Sequence, residues 1–168
     1  MQIFSSPQKR IRFFIVLFIV GLTLSGISAI PALWEATLLK QFFGSATWLG
    51  EIFPGIAIWF DRIYEGVHNG YGQYPFLAYG TDWLAFGHIA IAIAFIGPLR
   101  DPIKNIWVIE FGMIACVLVV PWAIVFSFVR DIPIFWTLID ISFGIFGIIP
   151  LWFVRRDIIS LDKINSAL

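Results

Sequence analysis

The chain has 168 residues, of which 60% are hydrophobic and 18% aromatic, and only 13% carry a charge. A soluble domain contains about 45–50% apolar and about 25% charged residues, so we expect lipid to cover much of this chain's surface. The formal net charge is zero, which gives no electrostatic reason to expect nucleic acid as a partner. Cys116 is the single cysteine, which excludes an internal disulfide, a Cys-x-x-Cys redox pair and a multi-cysteine metal site.

Four stretches are long and apolar enough to cross the roughly 30 Å hydrocarbon core of a bilayer, which takes about 20 helical residues. They lie at about 12–34, 76–99, 106–129 and 132–154. Helix is favoured over strand, because a single lipid-exposed strand would leave its backbone polar groups unpaired. The sequence therefore predicts an all-α integral membrane protein, a four-transmembrane-helix bundle that forms one membrane domain over residues 1–168.

The longest segment outside the spans, residues 35–75, lies between the first two of them. After Pro54, the stretch IAIWFDRIYEGVHNGY separates apolar from charged residues on two helical faces. The apolar face has Ile56, Trp59, Phe60, Ile63 and Val67, and the charged face has Asp61, Arg62 and Glu65. This pattern predicts an amphipathic helix on the outer side, which lies at the lipid–water boundary or caps the bundle as a lid.

The positive charges predict the orientation of the chain. Of the eleven Lys and Arg residues, those on the side of both termini are Lys9, Arg10, Arg12, Arg100, Lys104, Arg155, Arg156 and Lys163. The positive-inside rule then places both termini in the cytoplasm, and a bacterial plasma membrane is the favoured location. The alternative is that residues 1–29 form a cleaved signal peptide, but the apolar run is long for one and SGISAIPA is a poor cleavage site.

Small residues gather on one face of three spans and on two faces of the second, which predicts close helix–helix packing. The second span has a main small face of Gly87, Ala90, Ala94 and Gly97, and a lesser one of Ala85 and Ala92. In the other three spans the small residues are Gly21, Ser25, Ser28 and Ala32, then Gly112, Cys116, Ala123 and Ser127, and finally Gly144 and Gly147.

The ionisable residues inside the spans are the candidates for chemistry, because each costs about 2.5–3.5 kcal/mol at mid-membrane depth unless it has a partner. By residue count, His88 and Asp140 lie at similar depth, together with Ser25 and Ser28. We predict that His88, Asp140 and one of these two serines form a polar cluster inside the bundle. Asp82 at the outer interface and Trp136 beside Asp140 complete the candidate ligand-binding set of Ser25, Ser28, Asp82, His88, Trp136 and Asp140.

The role of this cluster stays open at the level of sequence. If the chain is an enzyme, His88 and Asp140 are the candidate catalytic acid–base pair, since such chemistry needs two groups with separated pKa values. The alternative is that the pair only holds helices together, which contributes about 0.6 kcal/mol. Glu110 is predicted to anchor at the inner headgroups or to form a structural ion pair with Arg12, Lys104 or Arg155, with a proton relay or substrate contact as the alternative.

Known catalytic and phosphate-binding motifs are absent from the sequence, and we predict no metal site and no cofactor. The favoured function is that of a non-catalytic accessory or assembly protein, with a membrane-protein partner or as a homo-oligomer. The first alternative is a binding protein or enzyme for an isoprenoid, sterol-like compound or lipid. The second is a proton- or ion-coupled transporter, which would have to oligomerise because the chain lacks the repeated halves of many transporters.

Overall fold

The computed structural model of the protein describes residues 6–166, and every regular element in that range is helical. Four helical stretches are long and apolar enough to cross a membrane, which confirms the all-helical class and the number of predicted spans. A 3-10 turn at Pro75–Ala78 precedes α5. The helices are α1 Pro7–Ala29, α2 Ala32–Phe43, α3 Trp48–Ile52, α4 Pro54–Gln73, α5 Tyr79–Ala94, α6 Ile96–Arg100, α7 Ile106–Val129 and α8 Ile134–Asn165.

Three of the predicted spans differ from the helices that form, and the second span, predicted at 76–99, is divided at Phe95 into α5 and α6. α1 stops at Ala29 rather than Trp34, because Pro31 has no backbone N–H and disfavours helical backbone at the residue before it. α8 continues well past residue 154 to Asn165. Its charged last part stays helical because it keeps an apolar stripe, in which Leu151, Val154 and Ile158 are buried.

The described chain divides into two compact units. Residues 22–90 form one of them, called here the inserted unit, and the sequence before and after them forms the other, called the terminal unit. In the terminal unit α7 packs along α8, and the buried apolar side chains concentrate toward the charged ends of the helices. They are Ile11, Ile15, Ala92, Phe95, Ile109, Leu151, Val154 and Ile158.

Glycines set how closely the helices of the terminal unit approach. A Cβ at Gly144 on α8 would lie 2.5 Å from Cγ1 of Val119, and it would also overlap the backbone carbonyl oxygen of Cys116 on α7. A Cβ at Gly112 would lie 2.7 Å from the ring of Phe95 and 2.9 Å from Leu151. These separations are too short for a methyl group, so α7 and α8 meet at distances that only glycine allows.

In the inserted unit, α2 packs on α4. The ring of Phe43 lies 5.5 Å from that of Phe60, and the Lys40 ammonium lies 4.3 Å above the Tyr64 ring. Phe60 of the predicted apolar face is buried and the other four residues of that face are half-buried, whereas Arg62 and Glu65 of the charged face are exposed. The predicted amphipathic helix forms as α4, while α2 and α3, which lie in the same segment, have no counterpart in the prediction.

Of the main small face predicted for the second span, only Gly97 packs closely, since its Cβ would lie 3.1 Å from Oδ1 of Asn105. Ala85 and Ala92 of the lesser face are buried, whereas Ala90 and Ala94 are exposed and the space around Gly87 is open. Small residues permit close contact but do not select it, because the fit against the neighbouring backbone decides which face is used.

In the first span, too, the glycine that packs closely does not belong to the predicted small face. Gly26 is buried, and its Cβ would lie 2.9 Å from Cβ of His88 and 3.0 Å from the Ala85 carbonyl oxygen. Gly21, which belongs to the predicted small face, has no neighbour within 4 Å of its Cβ position.

Asp61 on α4 forms a hydrogen bond to the loop that follows α2. The Ser45 backbone N–H donates to Oδ2 of Asp61 over 3.1 Å. Hydrogen bonds from the Ser45 side chain and backbone, aided by the Lys40 charge, lower the pKa of the Asp61 carboxyl against a smaller opposing effect of burial. Because the folded-state pKa lies below the unfolded one, the ionised carboxylate stabilises the fold above about pH 4 and stops doing so at lower pH.

We therefore expect Asp61→Asn to lower the free energy of unfolding by about 1 kcal/mol at neutral pH. The difference from the wild type should vanish as the pH falls through the folded-state pKa of Asp61, since both side chains are then uncharged. Denaturant unfolding in detergent micelles, followed by tryptophan fluorescence at neutral and strongly acidic pH, measures both values. An equal loss at the two pH values would contradict the proposed role of the carboxylate.

Candidate functional site

The most buried charged side chain among the described residues belongs to Asp157, near the end of α8, whose side chain is 4% exposed. Arg10 at the start of α1 donates from Nε and Nη2 to both oxygens of this carboxylate. Such a two-bond fork matches the planar guanidinium to the carboxylate and is stronger than a single bond. Arg156 approaches the same carboxylate at 3.6 Å, so one acidic group joins the first and last helices of the terminal unit.

A second ion pair lies beside it between α7 and α8. Nε of Arg155 donates to Oε1 of Glu110 over 2.8 Å, which is one of the pairings predicted for Glu110. Both side chains remain partly exposed, at 42% and 31%, so the pair contributes less than a buried one. Its geometry is that of a structural contact between two helices.

A groove of about 530 Å³ opens at this charged end of the terminal unit. Lys9 and Arg12 of α1 and Arg100 of α6 bring three cations to its lining, and none of them forms an ion pair with a residue in the described range. The remaining lining residues are Ser6, Gln8, Ile11, Pro98, Leu99, Asp101, Pro102, Ile103, Leu161 and Asn165.

The one carboxylate in the groove lining, Asp101, is already engaged. It accepts a hydrogen bond of 3.1 Å from the Lys104 backbone N–H, and the Lys104 ammonium lies 3.4 Å away. The backbone N–H, more than the charge, lowers the pKa of Asp101. The three groove cations therefore outnumber the one carboxylate of the lining, which already has a cation of its own.

Sequence reasoning missed this groove because it treated the basic residues only as topology signals. The signal was nevertheless present, since three cations from two separate flanking segments were predicted on the same side of the spans. Only the folding of α1 against the segment after α5 brings these segments together around one cavity.

His88 lies on α5 in the inserted unit and is half-buried. Its Nδ1 is 2.8 Å from the carbonyl oxygen of Leu84, one turn earlier in the same helix. A carbonyl can only accept, so the proton is on Nδ1. Its Cβ packs against Gly26 of α1, so His88 stands where these two helices are in closest contact.

The other candidate residues of the inserted unit are exposed. Ser28 donates to the Ser25 carbonyl oxygen over 3.1 Å, so its hydroxyl bonds to its own helix and not to His88. Asp82 is in the first turn of α5, where a negative charge interacts favourably with the helix dipole. Ser25 and Ser28 lie on α1, and Asp82 lies on α5 together with His88. Among the described residues, none of these three side chains forms a hydrogen bond with His88.

Asp140 and Trp136 lie on α8 in the terminal unit, one turn apart, and both are half-buried. The Trp136 ring meets that of Phe135 edge-on at 6.5 Å. Within the described residues, Asp140 has neither a hydrogen bond nor an ion pair. Because His88 and Asp140 belong to different units, the cluster that joins them stays a prediction.

Comparison with known proteins adds no relative. No protein-family model matches the chain, and no curated protein or solved structure matches it either.

Proposed function

We propose that this chain is a multi-pass membrane protein without a catalytic role, which acts as an accessory or assembly protein by binding another membrane protein or copies of itself. The observation that carries this proposal is the way six of the polar side chains in the candidate spans form their hydrogen bonds. They bond to backbone carbonyls of their own helix at 2.6–3.3 Å, as in Ser28, Thr81, His88, Ser127, Thr137 and Ser142.

This bonding pattern favours a lipid-facing, non-catalytic helix over a reaction site. A side chain that bonds to its own backbone needs no polar partner from elsewhere, so it is tolerated in hydrocarbon. Large apolar side chains surround these groups on the surface of the same helices, with Leu24, Phe86, Leu118 and Phe146 all more than half exposed. Such faces suit lipid and suit a partner helix equally.

The proposal includes a topology. The four spans form a bundle in a bacterial plasma membrane, with both termini in the cytoplasm and residues 35–75 outside. The Arg10–Asp157 and Glu110–Arg155 ion pairs then lie at the cytoplasmic ends of the spans, where charged side chains reach water and headgroups without crossing the hydrocarbon.

Cysteine labelling in cells tests this topology. In a Cys116→Ala background, Ala46→Cys between α2 and α3 should react with a membrane-impermeant maleimide in intact spheroplasts. Ser160→Cys on α8 should react only after permeabilisation. Both positions are exposed, so access to the reagent is limited only by the membrane. The reverse pattern would overturn the orientation, and release of the protein by alkaline carbonate would overturn the membrane assignment.

Native mass spectrometry of the purified chain in mild detergent tests the non-catalytic role. We expect a homo-oligomer or a stoichiometric complex with a second membrane protein, unchanged by Asp140→Asn. Asp162→Asn, the same change at an exposed position of α8, is the matched control. A monomer that carries one lipophilic compound, lost with Asp140→Asn but kept with Asp162→Asn, would contradict the accessory role.

That outcome would instead support a second candidate function, the binding or conversion of an isoprenoid, sterol-like compound or lipid. The observation that favours it is Asp140, a half-buried carboxylate in a candidate span without a partner among the described residues. Placing an ionisable side chain inside a membrane costs free energy, and a carboxylate that is nevertheless found there is a candidate functional residue.

The accessory role also predicts that His88 is dispensable for the fold. We expect His88→Ala to change the free energy of unfolding by less than about 1 kcal/mol, because alanine keeps the Cβ contact with Gly26 and the lost hydrogen bond is local. Gly26→Val should cost more, about 1–3 kcal/mol, because it inserts methyl groups against His88. Unfolding in mixed micelles measures both variants. A larger loss for His88→Ala would mean that its imidazole has a partner on another helix.

A further inference from the structure

We propose that the groove at the charged end of the terminal unit binds the phosphate group of an anionic phospholipid headgroup. The inference deepens the proposed function, since it rests on membrane insertion and names a lipid class that the protein recognises. The groove is a cavity of about 530 Å³ with polar and cationic side chains around an apolar floor.

Charge complementarity is the first argument. Lys9, Arg12 and Arg100 line the groove as three exposed cations without an ion-pair partner in the described range. The remaining charged residue of the lining, Asp101, forms an ion pair with the Lys104 ammonium and accepts a hydrogen bond from the Lys104 backbone N–H. Arginine binds phosphate through two parallel N–H donors, and lysine binds it as a point charge. The lining therefore carries three cations against one carboxylate, and phosphate is an anion that suits this excess of positive charge.

The chemistry around the cations points to a lipid. Ser6, Gln8 and Asn165 add neutral polar groups that suit the hydroxyls or glycerol of a headgroup. Ile11 and Pro98 form a buried apolar floor. On α1, directly after the two groove cations, the surface becomes apolar, with Phe13, Val16 and Leu17 exposed. Headgroup and acyl chain would thus each meet a matching surface.

The position of the groove agrees with this assignment. Its cations flank the ends of two candidate spans on the side that the charge distribution predicts to be cytoplasmic. Basic pockets at the cytoplasmic ends of spans bind anionic headgroups, and each Lys or Arg near an anionic lipid surface strengthens binding about fivefold.

Lipid binding to the delipidated full chain in detergent tests the proposal. The probes are phosphatidylglycerol, phosphatidylcholine and inorganic phosphate, each titrated and followed by native mass spectrometry. We expect phosphatidylglycerol to bind in preference to phosphatidylcholine, and the double variant Arg12→Gln/Arg100→Gln to weaken its binding about 30-fold. The matched control Arg130→Gln/Lys163→Gln removes the same charge from exposed positions outside the groove lining and should change binding far less.

The outcomes of this binding experiment distinguish a specific lipid site from general charge attraction and from binding of a free anion. Equal losses in the two double variants would overturn the proposal, because general surface charge would then attract the lipid. Equal binding of the two lipids would overturn it as well. Displacement of phosphatidylglycerol by inorganic phosphate at comparable concentration would assign the site to a free anion and overturn the lipid source. Circular dichroism of each variant verifies folding, and the labelling experiment tests membrane insertion independently, so the two failures are distinguishable.

Discussion

Replacing Arg10 by methionine is expected to lower the free energy of unfolding by about 3–5 kcal/mol, the range found when one partner of a buried ion pair is removed. The reason is that the Asp157 carboxylate is left with its side chain only 4% exposed and without its two strongest donors. Arg156 lies at 3.6 Å, within ion-pair range but beyond hydrogen-bond distance, so it offsets only part of the lost fork. Denaturant unfolding in mixed micelles measures the loss.

The opposite single change should be milder. Asp157→Asn leaves the charge on Arg10, whose side chain is 25% exposed and can turn to water. The double variant Arg10→Met/Asp157→Leu should recover most of the stability, because a packed apolar pair can replace a buried ion pair at little cost. Lys104→Gln, which breaks an ion pair with an 83% exposed lysine, should cost less than about 1 kcal/mol. A larger loss for Asp157→Asn than for Arg10→Met would contradict this account.

Gly144→Ala is expected to destabilise the protein by about 1–3 kcal/mol, as overpacking of a tight contact does. The added methyl group would meet the Cys116 carbonyl oxygen and lie 2.5 Å from Val119. A backbone oxygen cannot turn aside as a flexible side chain can, so α7 and α8 must move apart and lose contact along their length. Thermal unfolding in detergent and the rate of disulfide cross-linking between engineered cysteines on α7 and α8 measure the two consequences.

Gly87→Ala on α5 is the matched control for this substitution. It adds the same methyl group to a glycine inside a candidate span, but nothing lies within 4 Å of the new Cβ. We expect it to be neutral or to stabilise the helix by up to about 1 kcal/mol, because alanine has the higher helix propensity. Equal losses at Gly144 and Gly87 would mean that the close approach of α7 and α8 is not what makes Gly144 necessary.

The charged end of the terminal unit shows why part of the candidate site could not be predicted. Arg10 and Asp157 are 147 residues apart in the chain, and neither stands out, since both flank apolar spans as many charged residues do. Glu110 was matched to Arg155 as one of three options, because helix ends on the same side limit the choice. The helix that lies opposite Asp157 is decided by how the helices pack, and residue spacing along the sequence does not indicate it.

His88 shows a different limit. Its depth in the second span could be counted from the sequence, and the cost of burying it argued for a partner. Its hydrogen-bond partner is the carbonyl oxygen of Leu84 in its own helix, which a side-chain rotamer decides and a helical wheel does not display. The contact of Gly26 with His88 likewise depends on how α1 crosses α5.

By itself the sequence determined the helical class, four apolar stretches of spanning length and the amphipathic character of α4. These follow from composition and periodicity, which act locally along the chain. The tertiary structure alone decided that Ala85 and Ala92 are buried while Ala90 and Ala94 are exposed, and that Arg10 pairs with Asp157. The physical reason is that apolar helices have little hydrophobic preference for one face, so close backbone fit and a few long-range polar pairs select their contacts.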